Sequence, residues 1–274
     1  MKLILGTAQL TTPYGVLNVH SGDPALILGT AHDLGIDTLD TAPTYGSSEE
    51  CIGRADPDFK IHTKFDPQLD PLTSLIRSTE NLRVSSVEVA YIHDPEFLAV
   101  AKPEWFRRIK AQTRHVAEHL GSSVYTQHQL NLALRVPEIS VVQIPVSILN
   151  QHCLRVLREG GAKQGKIFIG RSIFAQGILL ADKNRLPGRF ASISPMIEEF
   201  HSICNSIGRC PLEVAVVWAR DETLVSGLVV GVESRDQLLS IANAFSADGL
   251  DAETLERLEC VAYLPEEQLD ARKW

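Results

Sequence analysis

Three short apolar runs, each closing on one ionisable residue, constrain this chain more than any other feature. Ile36-Asp37-Thr38-Leu39-Asp40 ends in an acid, Phe59-Lys60-Ile61-His62-Thr63-Lys64 in a lysine, and Val87-Glu88-Val89-Ala90-Tyr91-Ile92-His93 in a histidine. Each reads as a strand, leads into a loop containing proline, and is followed by a helical pattern. Asp40, Lys64 and His93 follow one another at intervals of roughly 25–30 residues, the length of one β-loop-α-loop unit. Tyr45 lies in the loop after Asp40. Consecutive parallel strands would carry all four side chains to one end of one sheet, where α/β enzymes place their chemistry.

The rest of the chain keeps the alternation. Leu3 to Gly6 reads as strand 1. Asp23 and Pro24 start a helix that Gly35 ends, Asp23 as cap and Pro24 as first helical residue. Ser47 to Gly53, Leu69 to Leu82 and Pro103 to His115 read as helices. Strand 5 lies within Val116 to Val124, followed by a helix from Gln127 to Leu134. Strand 6 is Ser140 to Pro145, whose run Val141-Val142-Gln143-Ile144 suits a strand buried on both faces. A helix from Gln151 to Gly160 precedes strand 7, Lys166 to Gly170, and an irregular stretch follows. Helices are expected from Ser194 to Ile207 and from Pro211 to Ala219. Strand 8 is Leu228 to Val230, with helices from Ser234 to Phe245 and from Asp251 to Tyr263, and then a polar tail. Eight strands alternating with eight helices predict a parallel α/β sheet with right-handed crossovers. The length of 274 residues suits one (β/α)8 barrel, a TIM barrel, spanning residues 1–274 as a single domain.

Charge and composition narrow the partners. A net charge of −8 disfavours nucleic-acid backbones and anionic membranes. No apolar run is long enough to span a bilayer. The histidines are scattered rather than paired at ligand spacing, so no metal site is expected. Five unclustered cysteines fit reduced thiols in the cytoplasm better than a disulfide framework. Met1-Lys2 leads directly into strand 1, so no secretion leader is expected.

The four side chains define a chemistry. A phenol is a weak acid at neutral pH, but a nearby ammonium favours phenolate. An aspartate holds that ammonium and offsets the cost of burying it. Such a tyrosine can give a proton to a carbonyl oxygen or take one from an alcohol. A neutral histidine can orient the same oxygen. The set has no nucleophile for acyl transfer, and a hydride must come from a cofactor.

The same residues carry a family resemblance. Leu5-Gly6-Thr7-Ala8-Gln9, Asp40-Thr41-Ala42 through Tyr45-Gly46-Ser47-Ser48-Glu49, Thr63-Lys64 and Tyr91-Ile92-His93-Asp94-Pro95 resemble the aldo-keto reductases. The likeness continues in order through Gly121-Ser122-Ser123, Val142-Gln143, Arg171-Ser172-Ile173-Phe174-Ala175-Gln176-Gly177 and Gly231-Val232-Glu233-Ser234. It implies a (β/α)8 barrel that interconverts aldehydes or ketones and their alcohols with NADP, or alternatively NAD. By resemblance Tyr45 is the general acid–base, Lys64 tunes it, Asp40 pairs with Lys64 and His93 orients the substrate. Gly6 and Thr7 fall at the cofactor site. Ser123 and Gln143 fall at the nicotinamide amide, with Val124 where the family places an asparagine. Arg171 stands where many members stack a tyrosine, and Ser172 and Phe174 line the pyrophosphate path. The strand 8 segment meets the adenosine end. Gly231 stands at the usual basic slot and Gln237 replaces a frequent arginine. Arg235 is the candidate phosphate ligand, and Glu233 would repel a phosphate. By association, the bacterial members with this strand 7 loop suggest sugar-like small-molecule substrates. Two other functions remain open on the residues alone. One is a reductase-like nucleotide-binding or regulatory protein with little turnover. The other is a Schiff-base enzyme using Lys64 as an amine. Oligomeric state is not legible.

Overall fold

Pairing begins where the chain does. β1 (Lys2–Gly6) lies parallel to β2 (Thr38–Asp40) on one side and to β8 (Gly227–Gly231) on the other. Between β2 and β8 run β3 (Lys60–Phe65), β4 (Val87–Ile92), β5 (Ala117–Ser123), β6 (Ile139–Pro145) and β7 (Ile167–Arg171). Each pairs in parallel with its neighbour, so the eight strands close into a barrel in sequence order. The computed structural model describes residues 1–12, 22–55, 58–160, 165–182, 186–261 and 265–269.

Period-two alternation sorts the side chains of the strands. Ile4, Val89, Tyr91, Val141, Ile169 and Val229 form a small cluster inside the barrel. Leu39, Ile61, Phe65, Ala90, Ile92, Val142 and Ile144 join a larger core between sheet and helices. Tyr91 is fully buried, and Gly121 makes room for it: a Cβ there would lie 2.5 Å from Tyr91 Cδ1. Gly121 also sits where the β5–β6 register shifts. Below it, the Tyr91 hydroxyl is 3.2 Å from His62 Nδ1, and His62 Nε2 is 3.0 Å from Glu88 Oε2. Burial, with Asp40 and Glu88 adding to it, raises the Tyr91 pKa well above the phenol value and keeps the ring neutral.

The helices start where capping chemistry allows. α1 (Pro24–Asp33) and α3 (Pro71–Leu82) open with proline after a capping aspartate, Asp23 and Asp70. α6 (Gln127–Leu134) begins on a Thr126–Gln129 capping box. Ser234 caps α10 (Arg235–Phe245), and Asp251 caps α11 (Ala252–Glu259). The remaining helices are α2 (Ser48–Ala55), α4 (Phe97–Val100), α5 (Pro103–Thr113), α7 (His152–Arg158), α8 (Ser194–Ser206), α9 (Pro211–Arg220) and α12 (Glu266–Leu269). So the described residues contain twelve α-helices, two more than the ten ranges read from the sequence, because α4 and α12 have too few residues to show a period.

Three local expectations change. α2 runs two residues past the expected Gly53, to Ala55; Ser47 stands just before it, its carbonyl accepting Cys51 N, and the buried Ser48 hydroxyl donates to Thr7 O at 2.9 Å and ties α2 to the β1 loop. The last long helix stops at Glu259, and residues 262–264 and 270–274 of the expected helix end and tail lie outside the described residues. The stretch after β7 contains 3-10 turns within Ala175–Leu180, broken by a kink at Gln176 and Gly177, rather than a plain loop.

Candidate active site

Asp40 closes β2, Lys64 stands one residue before the end of β3, and His93 follows β4. Inward alternation and parallel register bring the first two together above the inner cluster. Lys64 Nζ donates to Asp40 Oδ1 at 2.6 Å and to Thr41 O at 2.9 Å. Their side chains are 3% and 5% exposed, so this is a buried ion pair. Burial alone would lower the Lys64 pKa, but the Asp40 carboxylate and the Tyr45 phenol outweigh it and hold the ammonium above its ordinary value.

The second Asp40 oxygen is also taken. Gln143 Nε2 donates to Asp40 Oδ2 at 2.7 Å, and Gln143 Oε1 accepts the Ser123 hydroxyl at 2.9 Å. Ser123 Oγ accepts Arg171 Nε at 3.3 Å. One hydrogen-bonded row therefore runs from β7 through β5 and β6 to β2 and β3. Arg171 has further anchors: Nη2 donates to Val124 O at 2.7 Å, Nη1 to Ser172 Oγ at 3.1 Å, and the guanidinium lies 4.2 Å over the Tyr125 ring. Val124 contributes its carbonyl here, while its side chain is buried.

Tyr45 hangs over this row from the β2 loop. The loop is held because Tyr45 N donates to Ala42 O and Tyr45 O accepts Thr11 Oγ1 at 2.9 Å. Gly46, at φ +60°, lets the turn close against Thr11 and Thr12; a Cβ there would lie 2.7 Å from Thr12 Cγ2. Lys64 Nζ sits 4.8 Å from the Tyr45 ring centre. His93 meets the same ring edge-on, with centroids 6.4 Å apart. Burial, then the Lys64 ammonium and Arg171, pull the His93 pKa down to about 4 against the opposing pull of Asp40. Its imidazole is neutral throughout the neutral range.

A cleft of about 370 Å³ opens over these groups. Asp40, Tyr45, Lys64 and His93 line it. So do Gly6, Thr7, Ser123, Gln143, Arg171 and Ser172. Phe174, Gly231 and Gln237 also line it, with Leu180, Leu212 and Ile241. The floor of the cleft crosses bare backbone, since Gly6 and Gly231 are paired in register and a Cβ on Gly6 would lie 3.0 Å from Val229 Cγ1. The β7 loop beside it holds Ser172, Ala175 and Gln176 at φ +61°, +47° and +55°, three strained non-glycine backbones in one segment. Arg235 is exposed at the first position of α10 and is not among the residues that line the cleft.

The Aldo/keto reductase family model matches residues 2–262. The chain belongs to the aldo/keto reductase family. Members of this family are oxidoreductases acting on carbonyl compounds. No curated protein matches the sequence. Among solved structures, the chain is similar to aldo-keto reductase AKR11C1 from Bacillus halodurans in its holo form. The two are 20% identical, with a TM-score of 0.75 over 95% of this chain and 92% of that one. It is also similar to glycerol dehydrogenase AKR11B4 from Gluconobacter oxydans, at 19% identity, a TM-score of 0.72, and coverage of 94% and 90%. At these identities the likeness is one of fold.

Leu180, Leu212 and Ile241 of this aldo/keto reductase went unread in the sequence as cleft residues, and two polar-site residues were given no role there. Tyr125 supports Arg171, and Gln9 lies across Gly231, whose added Cβ would meet Gln9 Oε1 at 2.0 Å. The sequence signal for Tyr125 was its place soon after a strand, and for Gln9 its place in the Leu5-Gly6-Thr7-Ala8-Gln9 motif, which gave it no role.

Proposed function

We propose that this aldo/keto reductase interconverts an aldehyde or ketone and its alcohol by hydride transfer with a nicotinamide dinucleotide, NADP(H) or NAD(H). The observation that carries the reading is the Lys64 ammonium, buried between the Asp40 carboxylate and the Tyr45 ring where all three line the cleft. Tyr45 is the general acid–base. In reduction its hydroxyl gives a proton to the substrate oxygen, and the Lys64 charge stabilises the phenolate left behind. Neutral His93 hydrogen-bonds the same oxygen and sets the angle of the carbonyl. Asp40 keeps Lys64 in place through one oxygen, and Gln143 keeps Asp40 in place through the other.

The cleft fits the cofactor in its donor set and its bare floor. Ser123 and Gln143 would hold the nicotinamide amide, and Arg171 would stack beside the ring. Gly6, Thr7, Ser172 and Phe174 would pass the pyrophosphate, and Gly231 and Gln237 the adenosine. Bound there, the dinucleotide would supply or accept the hydride.

A raised Lys64 pKa opposes its use as a Schiff-base amine, which needs the neutral form. Among the described residues no helix is long and apolar enough to cross a membrane, and the five unpaired cysteines support a cytoplasmic setting. The deciding experiment mixes purified protein, reduced cofactor and a panel of aldehydes, ketoses and polyols, following nicotinamide absorbance through single and multiple turnovers. Cofactor oxidation that requires Tyr45 is expected. Tight binding without hydride transfer to any compound would favour a nucleotide-binding regulatory protein instead.

A further inference from the structure

We propose that Glu49 is a positioning residue: it clamps the segment that carries Tyr45 onto the strand that carries Lys64. The inference rests on the reading of Tyr45 as the general acid–base and adds the residue that sets its distance from the lysine.

Tyr45 and Lys64 belong to different elements. Lys64 lies within β3, whereas Tyr45 stands in the loop between β2 and α2. The 4.8 Å between the ammonium and the ring centre therefore depends on where the start of α2 sits against β3. Glu49 is in the first turn of α2, and Thr63 is the residue before Lys64. Glu49 Oε1 accepts the hydroxyl of Thr63, which is fully buried, at 2.9 Å. Glu49 Oε2 accepts Asn81 Nδ2, in the last turn of α3, at 3.4 Å. One carboxylate thus bridges α2 to β3 and to α3.

This bridge carries a cost. Glu49 is 3% exposed, and both of its described partners are neutral. Burying a carboxylate without a cation is unfavourable. Its place in the first turn of α2 offsets part of that, since the helix N-terminus is the positive end. An apolar side chain there would avoid the cost but make no directed bond to β3. The packing around the bridge is close as well: a Cβ on Gly53 would run into Asn81 O, so α2 lies directly on the end of α3.

The Tyr45 loop has a second set of ties, on the side of β1. Ser48 Oγ donates to Thr7 O, and Thr11 Oγ1 donates to Tyr45 O. Releasing Glu49 alone would let the loop pivot about these ties and carry the phenol away from the ammonium. The Lys64 charge favours phenolate less as that distance grows.

The test compares wild type with Glu49→Ala, Glu49→Gln and Thr63→Val. The glutamine keeps the fork without the charge, since its amide can donate to Thr63 Oγ1 and accept from Asn81. The valine keeps the shape of Thr63 and removes its hydroxyl. Two readouts are taken: the pH dependence of kcat and kcat/KM with the best carbonyl compound of the panel, and an ultraviolet difference titration of tyrosinate without turnover, in which Tyr45→Phe identifies the Tyr45 signal. Thermal melting confirms that each variant is folded. Glu49→Ala should lower kcat about tenfold and Thr63→Val about threefold, with the cofactor KM within about twofold of wild type. Both should move the Tyr45 midpoint to higher pH, and Glu49→Gln should recover most of kcat and the wild-type midpoint. Folded Ala and Val variants that titrate like wild type would reduce Glu49 to a purely structural residue and overturn the proposal. So would a Gln variant as impaired as the Ala variant. If Glu49→Ala does not fold, Thr63→Val and Glu49→Gln decide by the same criteria. If wild type turns over no carbonyl compound, the proposed function fails, while the tyrosinate titration still decides the clamp.

Discussion

At the scale of single residues, the buried Lys64–Asp40 pair matters to both stability and chemistry. Removing one partner leaves the other charge buried, which costs about 3–5 kcal/mol in such settings. Lys64→Met should therefore lose stability of that order in chemical denaturation, together with activity. The double variant Lys64→Met, Asp40→Asn should recover much of the stability and none of the activity; a double variant no more stable than the single one would refute the pairing as the cause. Tyr45→Phe is expected to lower turnover about 10²–10⁴-fold while nucleotide affinity stays near wild type, because in the proposed mechanism the phenol acts in the transition state. His93 carries a pH signature. Its folded pKa of about 4 lies below the ordinary 6.5, so the unfolded chain takes up a proton first as pH falls. Its contribution to stability is full above about pH 6.5 and is lost as pH drops through 4. NMR titration of the ring should show a midpoint far below 6; a midpoint near 6.5 would contradict the burial and the cationic neighbours that depress it. The positions of Asp40, Lys64 and His93 were legible because each ends an apolar run. The roles of Tyr125 and Gln9 were not, because they depend on rotamers that bring amide or ring against a partner far away in sequence.

At the scale of elements, helix starts were readable wherever a capping side chain precedes proline or a polar first turn. Asp23-Pro24 and Asp70-Pro71 are such places. β2 is shorter than its apolar run suggests. Ile36 N is spent on Ala31 O, closing α1, so regular pairing begins only at Thr38. Inside the barrel, Gly121 and Tyr91 form one packing unit across β4 and β5. Gly121→Ala places a methyl group against the ring and 2.9 Å from Val141 O. Such overpacking costs about 1–3 kcal/mol. A denaturation midpoint unchanged by this substitution would show that the inner layer is looser than its geometry implies.

At the scale of the whole molecule, the row from Arg171 through Ser123 and Gln143 to Asp40 and Lys64 joins five strand ends into one rim. No local pattern could reveal it, since it depends on barrel closure and on the inward phase of five separate strands. Any ligand that binds only the folded chain stabilises it; at about 100 times its dissociation constant the gain is about 2.7 kcal/mol. Saturating dinucleotide should therefore raise the melting temperature, and Gln143→Leu, which removes a rim donor, should reduce that rise. The cleft floor lies where β1 meets β8, with Gly6 opposite Gly231. If the dinucleotide binds as proposed, its seat is a seam between the first strand and the last, and it does not exist until the ring of strands is complete. Contacts this distant in sequence form late and slowly. A nascent chain gains no help from the cofactor until β8 has emerged and docked. Once it has, nucleotide bound in the proposed seat would span the join and act as a clasp, slowing the reopening of the barrel far more than it speeds the closing.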